Sequence, residues 1–456
     1  MAKKKTGISG FIDSFQGDKI IWMIVFMLIM ISILAISSST PLLALQMKST
    51  RSAIINEQIL VAVLGLGIIL FCYTCIRRIG FLRAVSQLGF AVSFLMLLCL
   101  AIHINLPFLK AVNINGATRA LSIMGFQLHV FEFVKVFMVM YLAWACQALQ
   151  EKDGFRMAAA LSQLPHFEFL GKKGWQLFFY IFLPIILISV LILMGSVSST
   201  LFIGLIMVVT VFIGGVRIKD FLIYGVIGAG LIVACVGLSF ASDGKFFPRI
   251  HTAVSRIAMA SEDPEEQLLK LQRGTVEFQE ALDKVKQPIS AKVAVSEGGL
   301  IGKGPGRSTQ RYVVPVMFED YMFSFIVEEY GILGALLVII LYGSLLARGS
   351  ILAKNCKSTF AKVAIAGLVI MISGQAAMHM FINVDLGPLT GQTLPMISHG
   401  NSSFLAFSLA FGLILSISKM VKKKMDKEAA MARPILEEHD EVRDGLNDLD
   451  QLENMA

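Results

Sequence analysis

The chain has 456 residues, 56% of them hydrophobic and 16% charged, with a mean hydropathy of +0.73. A soluble chain of this length would form about three domains with charged surfaces, and this composition excludes that. The net charge of +8 does not point to nucleic acid, because the basic residues fall mostly in short connections between apolar runs, where they act as topology signals.

A basic start, MAKKKTG, precedes an apolar run from Ile20 to Ser37. That run is too long for a signal-peptide core and lacks an obvious small-residue cleavage site, so it reads as a first, retained membrane helix. Runs of about 20 residues, the length needed to cross a bilayer core, follow at 57–76, 84–105, 128–149, 175–195, 199–215, 221–241, 321–346, 361–382 and 401–419. The expected fold is therefore all-α, a polytopic membrane domain of about ten helices over 20–420, with a basic N-terminal segment (1–19) and a charged tail (421–456). Even parity places both termini on one side. Lys3 to Lys5, Arg77, Arg78, Lys152, Arg156, Arg217, Arg348, Lys354 and Lys422 to Lys424 all fall on that side, which marks it as cytoplasmic.

The alternate connections, 106–127, 383–400 and the long segment 242–319, then lie outside. Seventy-eight residues are too many for a simple turn. Asp263-Pro264-Glu265-Glu266 reads as a helix start leading into Leu268, Leu271, Phe278, Leu282 and Val285. Such a helix fits either an amphipathic element on the membrane face, or against a partner, or a plain solvent-facing one. The tail is expected to be disordered or weakly helical. The six cysteines lie mostly in apolar runs and none falls in the long segment, so no disulfide framework is visible. Cys72 and Cys75 form a lone CxxC that reads as packing.

An ionisable residue inside a span costs roughly 2.5 kcal/mol or more and invites a functional reading. Glu132 and Lys135 lie three apart on one helix face and can pair, as a structural lock or as part of a site. Glu328 and Glu329 lie two turns into the span that Asp320 opens. Upstream of Asp320, glycines at 298, 299, 302, 304 and 306 alternate with Lys303, Arg307 and Arg311. Freed N–H groups and cations of this kind can hold a phosphate or pyrophosphate, although a glycine-rich hinge has the same signature and no GK[ST] follows. The last outer connection, DLGPLTGQTLPMISHGNSSF, is also polar and rich in breakers. A lipid-linked anionic substrate, with its tail in the bilayer and its head outside, would meet both loops.

The segments GGLIGKGPGRSTQ, P-x4-D-x2-F with EEYGILG downstream, TGQTLPMISHGNSSFL and the earlier GATRALSIMGFQLHVFEFVKV together resemble the SEDS family of cell-wall polymerases, which includes FtsW and RodA. The motifs GKGPG-x-S-x-Q and TGQTLP look more like the division-site branch than the elongation branch. The family's essential acidic residue falls on Asp320, its Glu and Lys on Glu132 and Lys135, its Arg on Arg119, and its closing serines on Ser398, Ser402 and Ser403. Lys303, Arg307, Gln310 and His399 join them as candidate substrate contacts. The chain departs from the family pattern at Phe318-Glu319, Ala120, His129-Val130-Phe131, His399-Gly400-Asn401 and Asp385.

The resemblance implies a peptidoglycan glycosyltransferase that polymerises lipid II by inverting transfer, with undecaprenyl pyrophosphate leaving and Asp320 as base. It also implies a class B penicillin-binding protein (FtsI-like transpeptidase) as partner, and a place in the cytoplasmic (inner) membrane at the division septum. The competing readings are a lipid II flippase, an elongation-type polymerase and a non-catalytic scaffold. A divalent cation, Mg2+ or Mn2+, between Asp320 and the pyrophosphate would fit the chemistry, yet no dedicated metal cage is visible in the sequence.

Overall fold

The computed structural model describes residues 17–40, 44–45, 49–114, 117–151, 154–241, 273, 275–314, 317–387 and 390–453. Among them, nine helices are long and apolar enough to cross a membrane, and a tenth apolar helix is shorter. They are α1 (Lys19–Ser39), α2 (Arg51–Cys75), α3 (Ile79–Ala101), α4 (Val130–Gln150), α5 (Lys173–Leu193), α6 (Val197–Ile213), α7 (Ile218–Ala241), α9 (Met322–Lys354), α10 (Thr359–Asn383) and α11 (Asn401–Glu453). Each overlaps a run expected from the sequence. The sixth, α6, has 17 residues. The chain is a multi-pass membrane protein.

Capping and packing link these helices. The Asp18 carboxylate accepts N–H groups of Ile20 (2.9 Å) and Ile21 (3.3 Å) at the start of α1 and also pairs with Arg348 near the end of α9 at 2.6 Å. One N-cap thus ties two helix ends together. The most enclosed spans are α4 and α11, whose apolar windows are each 78% buried. They form the centre of the bundle, with α2, α6 and α10 around them.

One connection differs from the expectations, and two further features bear on the tail and the long segment. The connection between α3 and α4 is a four-stranded antiparallel meander, β1 (Asn105–Leu106), β2 (Leu109–Ile114), β3 (Ala117–Ile123) and β4 (Phe126–His129). The charged tail continues α11 as helix. Asp263 to Glu266, with Leu268 and Leu271, lie outside the described residues. The described helix of the long 242–319 segment is α8 (Val276–Gly298), where the Thr275 hydroxyl caps the N–H of Phe278 at 3.2 Å. Phe278, Leu282 and Val285 fall within it.

Helix α9 is broken at Gly331, whose φ of 68° and ψ of −165° are non-helical. A break inside a span strands carbonyls on one side and N–H groups on the other. The loop after α8 supplies partners for both. Lys303 and Gly304 donate their N–H groups to the Glu328 and Glu329 carbonyls (2.9 Å each), while Gly299 and Leu300 carbonyls accept Ile332 N–H (3.0 Å) and Leu333 N–H (3.3 Å). Backbone lies against backbone here, so side chains are excluded. A Cβ on Gly302 would collide with the Glu329 carbonyl, and one on Gly331 with that of Leu300.

Gly302 and Gly306 separate strain from collision, because both have positive φ (87° and 76°) but a Cβ at Gly306 meets nothing within 4 Å. Gly306→Ala is expected to cost about 1–2 kcal/mol, the penalty of the left-handed conformation. Gly302→Ala is expected to cost roughly 3 kcal/mol or more, because overpacking adds to that penalty. Thermal unfolding of the purified variants in detergent measures the difference, and equal losses would contradict the docked-loop geometry.

Candidate active site

Asp320 sits in a turn just before α9, and other elements hold that turn by its backbone. The carbonyl of Phe318 accepts the His399 N–H at 2.9 Å, that of Glu319 accepts the Ser398 hydroxyl at 2.8 Å, and that of Asp320 accepts the Asn383 side-chain amide at 3.0 Å. The first N–H groups of α9 are capped in turn. Phe323 donates to His379 Nε2 (3.4 Å) and Ser324 to Asn383 Oδ1 (2.9 Å). The His379 Nδ1 lies 2.8 Å from the Gln392 carbonyl, which assigns the proton to Nδ1 and leaves Nε2 as the acceptor. His379 and Asn383, one turn apart on α10, were not among the sequence candidates. Two polar residues at i and i+4 in an apolar span were the available signal.

With the backbone fixed, the Glu319 and Asp320 side chains remain half-buried. Desolvation pushes the Asp320 carboxyl up to about 6, with Arg119 opposing it. Desolvation, and then the neighbouring Asp320 charge, push Glu319 up to about 7. Arg119 reaches this site through an irregularity of the sheet. Asn113 pairs with Thr118 and Val112 with Ala120, so Arg119 is the extra residue of a β-bulge, a device that re-aims a side chain out of the ladder. Its Nε lies 3.4 Å from the Gly195 carbonyl between α5 and α6.

The glycine-rich loop differs from the expected phosphate cradle. Its N–H groups are directed to carboxylates of its own chain. Thr309 donates to Glu328 Oε1 (2.8 Å), and Gly306 (3.0 Å) and Ser308 (3.3 Å) donate to Glu329 Oε1. The Ser308 hydroxyl also donates to Glu328. Lys303 has three donors, and they meet Glu328 (2.7 Å), the Thr309 hydroxyl (2.7 Å) and Glu297. Arg311 donates to the Ser38 carbonyl (2.9 Å) and lies 3.9 Å from Glu329. Gln310 donates its N–H to Glu328 (3.4 Å). Both glutamate side chains are fully buried. Unpaired buried carboxylates are costly, and these groups are what make them tolerable. Arg307 is exposed and is the loop cation outside this network.

Glu132 and Lys135 form a 2.8 Å pair. The other Lys135 donors reach Gln375 (2.6 Å) and Gln392 (3.3 Å), so all three are occupied by the protein. Ser403 donates to Glu132 (3.2 Å) and lies 2.8 Å from the Thr393 hydroxyl. Ser402 accepts the His129 N–H (3.1 Å) and donates to the Gln127 carbonyl (3.3 Å). Apart from Arg307, the candidates therefore divide into three groups. Asp320, Arg119, Ser398 and His399 gather at the turn. Glu132, Lys135, Ser402 and Ser403 link α4 and β4 to the closing loop and α11. Lys303 and Gln310 belong to the broken helix. Among the described residues, no group of three or more His, Cys, Asp or Glu could hold a metal ion.

An interrupted membrane helix beside two partly buried carboxylates on a fixed turn, with a cation nearby, defines the class as a polytopic membrane protein with a polar cluster at one end of its bundle. A family model described as "Cell cycle protein" (FTSW_RODA_SPOVE) matches residues 18–423, and the chain belongs to this FtsW/RodA/SpoVE family. It is 27% identical over 327 residues to a probable peptidoglycan glycosyltransferase FtsW of Caulobacter vibrioides, covering 72% of each chain. It is also 27% identical over 424 residues to one of Enterococcus hirae, covering 91% of this chain and 96% of that one. In fold it is similar to a chain of a solved peptidoglycan synthase complex (TM-score 0.60, 19% identity, 89% and 98% of the chains). It is also similar to the rod-shape-determining protein RodA of Thermus thermophilus (TM-score 0.53, 18% identity, 88% and 97%).

Lys135→Met leaves the Glu132 carboxylate and two glutamine oxygens without their shared donor. The expected cost is about 3–5 kcal/mol, the usual consequence of breaking a buried pair on one side. Thermal unfolding reads it directly, and parent-like stability with lost activity would instead mark Lys135 as a group that contacts substrate.

Proposed function

We propose that this chain is a peptidoglycan glycosyltransferase that polymerises lipid II into glycan strands, with Asp320 as the general base. The names of its relatives support the reaction class. The observation that carries the residue assignment is the turn itself: three successive carbonyls are held by His399, Ser398 and Asn383, while the Asp320 carboxylate stays available beside Arg119.

The acceptor sugar's 4-hydroxyl attacks the donor's anomeric carbon, Asp320 takes the hydroxyl proton, and undecaprenyl pyrophosphate leaves with the bonding electrons. A single displacement of this kind inverts the anomeric centre without a covalent enzyme intermediate. A base with a pKa near the working pH suits the proton transfer. Arg119 and the exposed Arg307 are the cations suited to the charge of the leaving pyrophosphate. Lys303 and Arg311 act one step back, by keeping the loop on α9.

Glu319 and Asp320 form a two-carboxylate donor set, which fits the way Mg2+ is commonly held together with phosphate oxygens. Such an ion, or Mn2+, would supply charge neutralisation at the pyrophosphate. The charge distribution supports cytoplasmic termini, and the division-type relatives support a septal location. The likeness to a synthase complex supports a class B penicillin-binding protein as partner.

A broken membrane helix also marks transporters, which favours a lipid II flippase as the second reading. In transporters the exposed half-helix ends face the substrate. Here the loop residues Gly299, Leu300, Lys303 and Gly304 occupy them, which supports the polymerase. Purified chain, together with its partner, is expected to convert labelled lipid II into glycan, and Asp320→Asn to lose at least a hundredfold of that rate, the scale of a lost general base. Lipid II translocation without glycan product would establish the flippase instead.

The base must be ionised, so the rate is expected to rise with pH through about 6 and then level off. Arg119 favours the ionised form of Asp320, so Arg119→Gln is expected to move this limb to higher pH. A pH–rate profile of both proteins tests it, and a limb that is unmoved or moves downward would count against the pairing.

A further inference from the structure

The meander has an apolar end that the bundle does not cover. Leu106, Leu109, Ile123 and Phe126 pair in sequence across the four strands and so stand in one row on one face. The next row, Asn105, Lys110, Ser122 and Gln127, is wholly polar and points to the opposite face. At the tip of the sheet, Leu106, Ile123 and Phe126 are 42%, 42% and 49% exposed, Phe108 in the β1–β2 turn 59%, and Met124 in the β3–β4 turn 88%. The two turns lie side by side, with the Met124 N–H bonded to the Phe108 carbonyl at 3.1 Å.

Leu121 fixes the direction of the apolar face. It lies two residues before Ile123 on the same face, and it is buried in the main core of the helix bundle at 2% exposure. The face that overhangs at the tip is therefore the face that packs down onto the bundle end. The exposed apolar stripe of α3, with Leu88, Val92, Leu95 and then Ile102, leads toward the first strand. Exposed apolar side chains thus occur on both the span and the sheet tip, whereas the row at Asn105, Lys110, Ser122 and Gln127 is polar.

We propose that this tip is a membrane-lipid docking site, seated in the headgroup–acyl boundary of the leaflet nearest the Asp320 turn. Amphipathic elements with one large apolar face lie in this zone, and aromatic side chains favour it. Arg119 is carried on the same strand, four residues before Ile123, so the seating sets the height of that cation above the bilayer.

Tryptophan placed at Met124, Phe108 or Lys110 reports the environment of each position in nanodiscs made with brominated-chain or unbrominated phospholipids. Bromolipid is expected to reduce the added emission of Met124→Trp and Phe108→Trp at least twofold, with iodide having little effect. Lys110→Trp is expected to show the reverse. If Met124→Trp and Phe108→Trp are quenched by iodide and not by bromolipid, the tip is in water or waits for a protein partner, and the proposal fails. Parent-like thermal unfolding is the condition for counting each variant.

Discussion

The bond set between Glu328, Glu329 and the loop at 299–311 is the constraint on which the rest of that end of the bundle depends. A span interrupted at Gly331 would expose polar backbone at membrane depth, and two adjacent carboxylates there would be more costly still. The loop meets both demands at once. Its backbone pairs with the broken helix ends, and its N–H groups, serine, threonine and lysine surround the carboxylates. With this joint closed, the first turns of α9 have a defined direction, and Asp320 at their head has a defined place. The same residues that look like a ligand cradle in the sequence are the internal counterpart of two glutamates.

The sequence revealed the spans because hydrophobic length is a direct consequence of bilayer thickness, and every expected run coincides with a helix. It singled out Asp320 and the Glu132–Lys135 pair because charge in an apolar setting stands out, whereas Arg119 came only through the family resemblance. It did not reveal where the loop cations point. Lys303 and Glu328 are 25 residues apart, and only folding decides that they meet. The meander was missed for a different reason. Its strands are short, with β1 two residues long, and the sequence signals were an Asn-Gly dipeptide, of the kind favoured in tight hairpins, and the glycine at 125. Met124 and Gly125 both have positive φ, 51° and 88°, as a type I′ turn requires. Asp385 also has a positive φ, 64°, in the left-handed region that glycine enters at least cost.

The polar interior falls into two kinds of environment, and the difference matters for chemistry. Around Lys135, donors and acceptors are matched within the protein, so the network connects α4, α10, the closing loop and α11 but offers little to a ligand. Around Asp320, the backbone is matched and the side chains are not fully covered. Rigid support with an available carboxylate is the arrangement expected of a site that must bind and react. The bulge at Arg119 belongs to the same design, because a regular ladder would have given that position a cross-strand partner.

The broken helix also bears on how the chain is made. The groups that neutralise Glu328 and Glu329 come from residues 303–311, synthesised about twenty residues earlier, and from Ser38 at the end of the first span. Both are already exported from the ribosome when the two glutamates emerge. The charged segment therefore meets its hydrogen-bond partners among residues made before it.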